Sequence, residues 1–161
     1  MSASAATPTV QEPSARWLQS QPALDALIDS GPLLALFNRN DKWHAPCVAW
    51  LQAHPEVHLH STWPVLTEVC ALLARRIHNE AALDFLKWVQ RGAVSVDAPA
   101  DWSLTSVVAI CERFASLPLD LADASIAEAA QRLKIRHIIS IDKDFDVYRD
   151  AKGQALRNLL R

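Results

Sequence analysis

The sequence predicts an α/β protein, with a central parallel sheet of four to five short strands flanked by helices in three layers. Short apolar runs stopped by a polar residue, Ala26-Leu27-Ile28 before Asp29 and His137-Ile138-Ile139-Ser140-Ile141 before Asp142, read as strands buried on both faces. Between them lie stretches with apolar residues at helical spacing, such as Val65, Val69, Leu72 and Leu73. Strands that alternate with helices favour parallel pairing, and no repeat or second domain interrupts the pattern.

Residues 24 to 29 give the first strand, and Gly31-Pro32 opens a short helix, since proline fits a first helical turn. Residues 44 to 54 form a second helix with Val48, Trp50 and Leu51 as apolar contacts. A strand over residues 57 to 60 is followed by a turn at Ser61-Thr62-Trp63-Pro64, which leads into the helix carrying Glu68. Residues 79 to 91 make a helix ended by Gly92, and residues 94 to 96 make the third strand. A helix over residues 104 to 114 comes next, Pro118 precedes the helix carrying Asp123, and residues 137 to 141 form the last strand.

The chemistry rests on carboxylates. Asp29 and Asp142 each end a strand, and ligands of parallel sheets collect at the carboxyl ends of strands, so both point at one edge. Glu68 falls within the stripe of Val65, Val69 and Leu72, and Asp123 within that of Ile126, Ala127 and Ala130, so two helices carry an acid on the face they bury. A buried carboxylate is costly unless it is paired, protonated or bound to metal, and four in one pocket cannot all ionise without a cation. Oxygen-only donors suit Mg2+ or Mn2+ better than zinc. Taken singly, each acid also has a plainer reading. Asp29 can cap the following helix, Asp120 can cap the next with Asp123 as its capping-box acid, Glu68 can pair with a distant base, and Asp142 and Asp144 can fix a turn.

Four segments appear in order: Leu27-Ile28-Asp29-Ser30-Gly31-Pro32, Leu66-Thr67-Glu68-Val69, Leu119-Asp120-Leu121-Ala122-Asp123-Ala124-Ser125 and Ser140-Ile141-Asp142-Lys143-Asp144-Phe145. Together they resemble the successive signatures of PIN-domain ribonucleases, above all bacterial toxins of the VapC type. The resemblance implies an endoribonuclease that depends on Mg2+, with Mn2+ as substitute. Asp29, Glu68, Asp123 and Asp142 would hold the metal, and activated water would hydrolyse RNA phosphodiesters. It further implies Asp120 and Asp144 as secondary metal contacts, with Ser30 and Ser140 orienting a carboxylate or water. Accessible single-stranded or loop RNA is the expected substrate. A cognate antitoxin, a homodimer and a cytoplasmic location also follow. Asp41-Lys42-Trp43-His44 is similar to the family's Asp-x-x-His entry to its second helix. Two readings from other classes compete: a catalytically silent binding module on this fold, and a phosphoacceptor receiver domain, against which the inward Glu68 and Asp123 argue.

A chain of 161 residues, half of them hydrophobic, is enough for one domain over residues 23 to 161, after a Ser- and Ala-rich flexible extension over residues 1 to 22. The formal net charge of −2 lacks the basic footprint of many nucleic-acid binders, but the acids of the proposed site account for much of that deficit. The basic groups Arg75-Arg76, Lys134-Ile135-Arg136 and Lys143 read first as solvated helix ends. Cys47, Cys70 and Cys111 read as reduced thiols, and His58 and His60 as strand residues rather than metal ligands. The tryptophans read as core or dimer contacts, with Trp43, Trp50 and Trp88 the expected dimer face. No stretch is apolar and long enough to cross a membrane.

Overall fold

The computed structural model describes residues 23–117 and 119–161; the expected N-terminal extension and Pro118 lie outside the described residues. Strand β1, Leu24–Ile28, is central because Ala26, Leu27 and Ile28 are all buried and need cover on both faces. It pairs in parallel with β2, Val57–Thr62, on one side and with β4, His137–Ile139, on the other. Strands β3, Ser95–Asp97, and β5, Arg157–Asn158, form the edges, so the five-stranded parallel sheet runs β3-β2-β1-β4-β5. The chain builds outward from β1 through β2 to β3, then returns to place β4 on the opposite side of β1. Strand order therefore reverses between β1 and β4, the position at which open parallel sheets form ligand crevices.

Among the described residues seven α-helices flank the sheet: α1 (Ser30–Phe37), α2 (His44–Ala53), α3 (Trp63–Arg76), α4 (Asn79–Trp88), α5 (Ser103–Arg113), α6 (Leu121–Leu133) and α7 (Asp144–Val147). Val65, Val69 and Leu73 of α3, Phe85 of α4, and Ile126 and Ala129 of α6 pack with the buried strand residues in the main core. Three expectations about elements change. The turn expected at Ser61-Thr62-Trp63-Pro64 is the end of β2 joined directly to α3. Ser61 donates to the Ile28 carbonyl at 2.9 Å, so a hydroxyl occupies a position the apolar pattern missed. The helix expected over residues 79 to 91 ends at Trp88 and passes into a wider π turn, Val89–Ala93, where Gly92 takes φ 91. Strand β4 stops at Ile139, and the α7 turn and β5 follow where no apolar run announced them.

A buried ionic clamp fixes α6. Arg132 reaches both Glu128, one turn earlier, and Asp97 at the end of β3, and Ser103 at the start of α5 donates to Glu128 at 2.9 Å. Glu128 is only 4% exposed, so without these partners its charge would be stranded.

The tryptophans divide differently from expectation. Trp50 and Trp88 pack against the protein's own core, and the Trp50 indole donates to the Leu159 carbonyl at 2.7 Å. Trp63 and Trp102 are exposed, with Leu104 and Leu121. His60 bonds Asp25 at 2.8 Å, and His44 bonds the Ala35 carbonyl at 2.7 Å, giving both histidines structural partners. All three cysteines are free. Among the described residues no helix is long and apolar enough to cross a membrane.

Candidate metal centre

Asp29 leaves β1 and becomes the N-cap of α1: its backbone is extended and its Oδ1 accepts the Ser30 amide at 2.7 Å. The cap and site readings are therefore compatible, because a carboxylate has a second oxygen. Asp29 Oδ2 accepts from the Ser140 hydroxyl at 3.0 Å, and the Asp29 amide donates to the Ile139 carbonyl at 3.1 Å. Ser140 thus bonds the Asp29 carboxylate through its hydroxyl, whereas Ser30 does so through its backbone N–H.

The Ser140 hydroxyl also accepts the Asp142 amide at 3.0 Å, while Asp142 Oδ1 accepts the Asp144 amide at 2.9 Å. One buried hydroxyl therefore sets both strand-end aspartates. Gly31 matters for closeness: a Cβ there would lie 2.5 Å from Ile141 Cγ1, so the start of α1 approaches the segment leading to Asp142 only without a side chain.

On α6, Asp120 is the N-cap and accepts the Asp123 amide at 2.9 Å, as the cap reading required. Asp123 is held on the side facing the strand-end acids. A second tie steadies this helix: Thr62 and Ser125 share a 2.6 Å hydrogen bond, and Ser125 donates to the Ala122 carbonyl at 2.7 Å. Glu68 on α3 is partly exposed rather than buried, and it borders an open 490 Å³ cavity with Trp63, Asp120 and Leu121.

Electrostatics show that these acids are neighbours. Burial pushes the Asp29 carboxyl up to about 6, the Ser30 and Ser140 bonds oppose that rise, and the charges of Asp142 and Glu68 add to it. Asp123 is pushed up to about 7, first by burial, then by the charges of Asp29, Asp120 and Asp142. Asp144 is raised by burial and by Asp142. Among the described residues, the basic side chains that form ion pairs engage Asp25, Asp97, Glu128, Asp146 and Asp150, and none reaches Asp29, Glu68, Asp123 or Asp142.

Among the described residues no three His, Cys, Asp or Glu side chains stand at ligand spacing around one point; the acids form an open rim coupled through their charges rather than a closed cage. The donor chemistry still fits a hard divalent cation: every group is an oxygen, and burial, reinforced by the neighbouring carboxylates, raises the Asp29 and Asp123 carboxyls to about 6 and about 7. Sequence reading missed the groups that brace this rim. Thr62 and Ser125 are tied across α6, Asn158 of β5 bonds the Ser140 main chain, and Arg161 donates to the Asp142 carbonyl at 3.1 Å. No sequence signal marked Asn158, because the two-residue strand that carries it leaves no pattern of its own.

Comparison with solved structures finds VapC20 of Mycobacterium tuberculosis, a toxin that cleaves the sarcin-ricin loop. It aligns with TM-score 0.70 and 21% identity over 76% of this chain and 93% of its own. VapBC2 of Rickettsia felis, solved bound to a DNA fragment from its promoter, aligns with TM-score 0.63 and 11% identity over 84% of this chain and 98% of that one. At these identities the likeness is one of fold. No functionally curated protein matches. The sequence profile of the PIN domain matches residues 26–151, most of the chain and all four acids, and the protein belongs to the PIN-domain family.

Proposed function

We propose that the protein is a divalent-metal-dependent endoribonuclease, acting as the toxin of a toxin–antitoxin pair. What supports this reading is that Asp29, Asp123 and Asp142 feel one another's charge, that Glu68 adds to the charge on Asp29, and that none of the four has a basic ion-pair partner among the described residues. Asp29 and Asp142 would hold the metal from the sheet, and Glu68 and Asp123 from the helices. A bound Mg2+ or Mn2+ ion would supply activation of water and neutralisation of charge on the phosphoryl oxygens. The chain's own contribution is positional: Ser140 orients Asp29 and the Asp142 main chain, and Asp120 fixes the first turn of α6 so that Asp123 faces the rim.

Accessible single-stranded or loop RNA is the proposed substrate, because splayed bases and an exposed backbone permit selection and cutting. A cognate antitoxin is the expected protein partner, in keeping with the shared fold of VapC20 and VapBC2. The free cysteines accord with a cytoplasmic location. Homodimerisation is assigned to the exposed face of Trp102 and Leu104, in place of Trp43, Trp50 and Trp88.

Asp123→Asn is the decisive variant, because it removes a charge with little change of shape. It should abolish Mn2+-dependent RNA cleavage while the metal-free protein unfolds at the same or a higher temperature. Cleavage per folded molecule equal to wild type would defeat the assignment and leave a silent PIN-fold binding module as the better reading.

A further inference from the structure

We propose that Asn158 is a positioning residue for the carboxylate site, holding the Ser140 main chain so that one hydroxyl can set Asp29 and Asp142 together. This inference rests on the metal-site reading above. Asn158 lies in the edge strand β5, opposite Ile138 of β4, and takes no direct part in the rim of acids. Its Nδ2 donates to the Ser140 carbonyl at 2.8 Å, and its Oδ1 accepts the Leu160 amide at 3.1 Å and, at a longer 3.4 Å, the Ser140 amide. The amide is oriented by chemistry: two N–H groups face its oxygen and a carbonyl faces its nitrogen.

The consequence passes through Ser140, which is fully buried just beyond the end of β4, where the sheet's own ladder no longer holds the chain. There the Asn158 amide replaces strand pairing at both the N–H and the C=O of one residue. With the main chain fixed, the Ser140 hydroxyl donates to Asp29 Oδ2 and accepts the Asp142 amide, each at 3.0 Å. A single side chain on the last strand therefore reaches both acids at the β1–β4 crevice. Valine would suit a strand better but has no polar group, and the single oxygen of threonine cannot span the separate carbonyl and amide that Asn158 Nδ2 and Oδ1 reach.

Loss of this side chain should spare the fold. Strand β5 is also held by main-chain bonds from Arg157 to the Arg136 carbonyl at 2.8 Å and from Leu159 to the Ile138 carbonyl at 2.9 Å. Arg157 is exposed on the same strand and provides the control.

The test titrates Mn2+ calorimetrically into the full chain as wild type, Asn158→Ala, Arg157→Ala, Ser140→Ala and the variant combining Asn158→Ala with Ser140→Ala, and follows amide exchange by NMR without metal. Removing a group that orients a metal ligand typically weakens metal binding about 10-fold or more. Asn158→Ala should show that loss and faster exchange at Ser140 and Asp142, and Arg157→Ala should show neither. In the Ser140→Ala background the further loss from Asn158→Ala should shrink to roughly 2-fold or less, because the effect passes through the missing hydroxyl. Wild-type Mn2+ affinity in Asn158→Ala, or full additivity with Ser140→Ala, would overturn the proposal. If wild type itself takes up no Mn2+, the metal reading fails and amide exchange decides alone: unchanged exchange at Ser140 and Asp142 in Asn158→Ala then overturns the brace. Should the alanine variant unfold, Asn158→Thr, which suits a strand but cannot span the two groups, takes its place in every measurement.

Discussion

Ser140 Oγ lies 3.0 Å from Asp29 Oδ2 and accepts the Asp142 amide at the same distance, so residues 111 positions apart are tied by one hydroxyl. Replacing Ser140 by alanine removes a bond that favours the ionised Asp29 and frees the Asp142 main chain. Stability should fall by about 1 kcal/mol. Mn2+ affinity should fall about 10-fold, measured by calorimetry near neutral pH.

The raised carboxyls of Asp29 and Asp123 make a pH prediction with a definite sign. Below the ordinary carboxyl value of 3.8 both states hold these protons, so nothing is lost. Between there and about 7 the unfolded chain gives them up while the folded chain retains them, so the metal-free protein loses stability as pH rises. Thermal unfolding from pH 4 to pH 8 should show that decline, and Asp123→Asn should flatten its upper part. Divalent ions compete with the same protons, so Mn2+ binding should strengthen across this window and release protons into the buffer. A metal affinity independent of pH between 5 and 7.5 would contradict the coupling.

The clamp of Arg132 with Glu128 and Asp97 serves the scaffold. Arg132→Met leaves Glu128 buried beside Asp97 with no cation, and breaking such a pair from one side costs about 3–5 kcal/mol. Chemical denaturation should show a loss of that order. Cleavage per folded molecule should stay near wild type, because none of the three groups touches the rim of acids.

Association should depend on the exposed tryptophan face. Leu104 is 69% exposed, so Leu104→Glu should leave stability almost unchanged yet shift light scattering from dimer to monomer at micromolar concentration. Trp50→Ala should do the reverse, destabilising the subunit by about 3–5 kcal/mol, because its ring packs on the core and its N–H holds Leu159.

Much of this architecture was legible because burial on both faces leaves a plain mark. Ala26-Leu27-Ile28 and Ile138-Ile139 could be little else than inner strands, and the polar residues that stop or follow them located the crevice. The PIN-like sheet followed from those runs and from the order of the four acidic signatures. What escaped were elements held by polar groups. Ser61 and Thr62 continue β2 because their hydroxyls bond Ile28 and Ser125, and β5 exists because Asn158 and its neighbouring amides bond β4. Periodicity of apolar residues cannot report such contacts. The tryptophans could be read only as core or contact residues without telling which was which, because exposure depends on the helix face the fold covers, and Trp50, which packs on the core, and Trp63, which is exposed, look alike in sequence.

The sheet order has a consequence for the order of events during synthesis. Because β4 docks beside β1 only after β2 and β3 have been laid down on the other side, Asp29 meets Ser140 and Asp142 late in the chain's emergence. At a synthesis rate of about 5–20 residues per second, the unfinished polypeptide passes several seconds carrying its first acid with no partners from the last strands. If Asp29 works with Ser140 and Asp142 as proposed, a nascent chain should lack the activity until the segment carrying those two residues has emerged and docked.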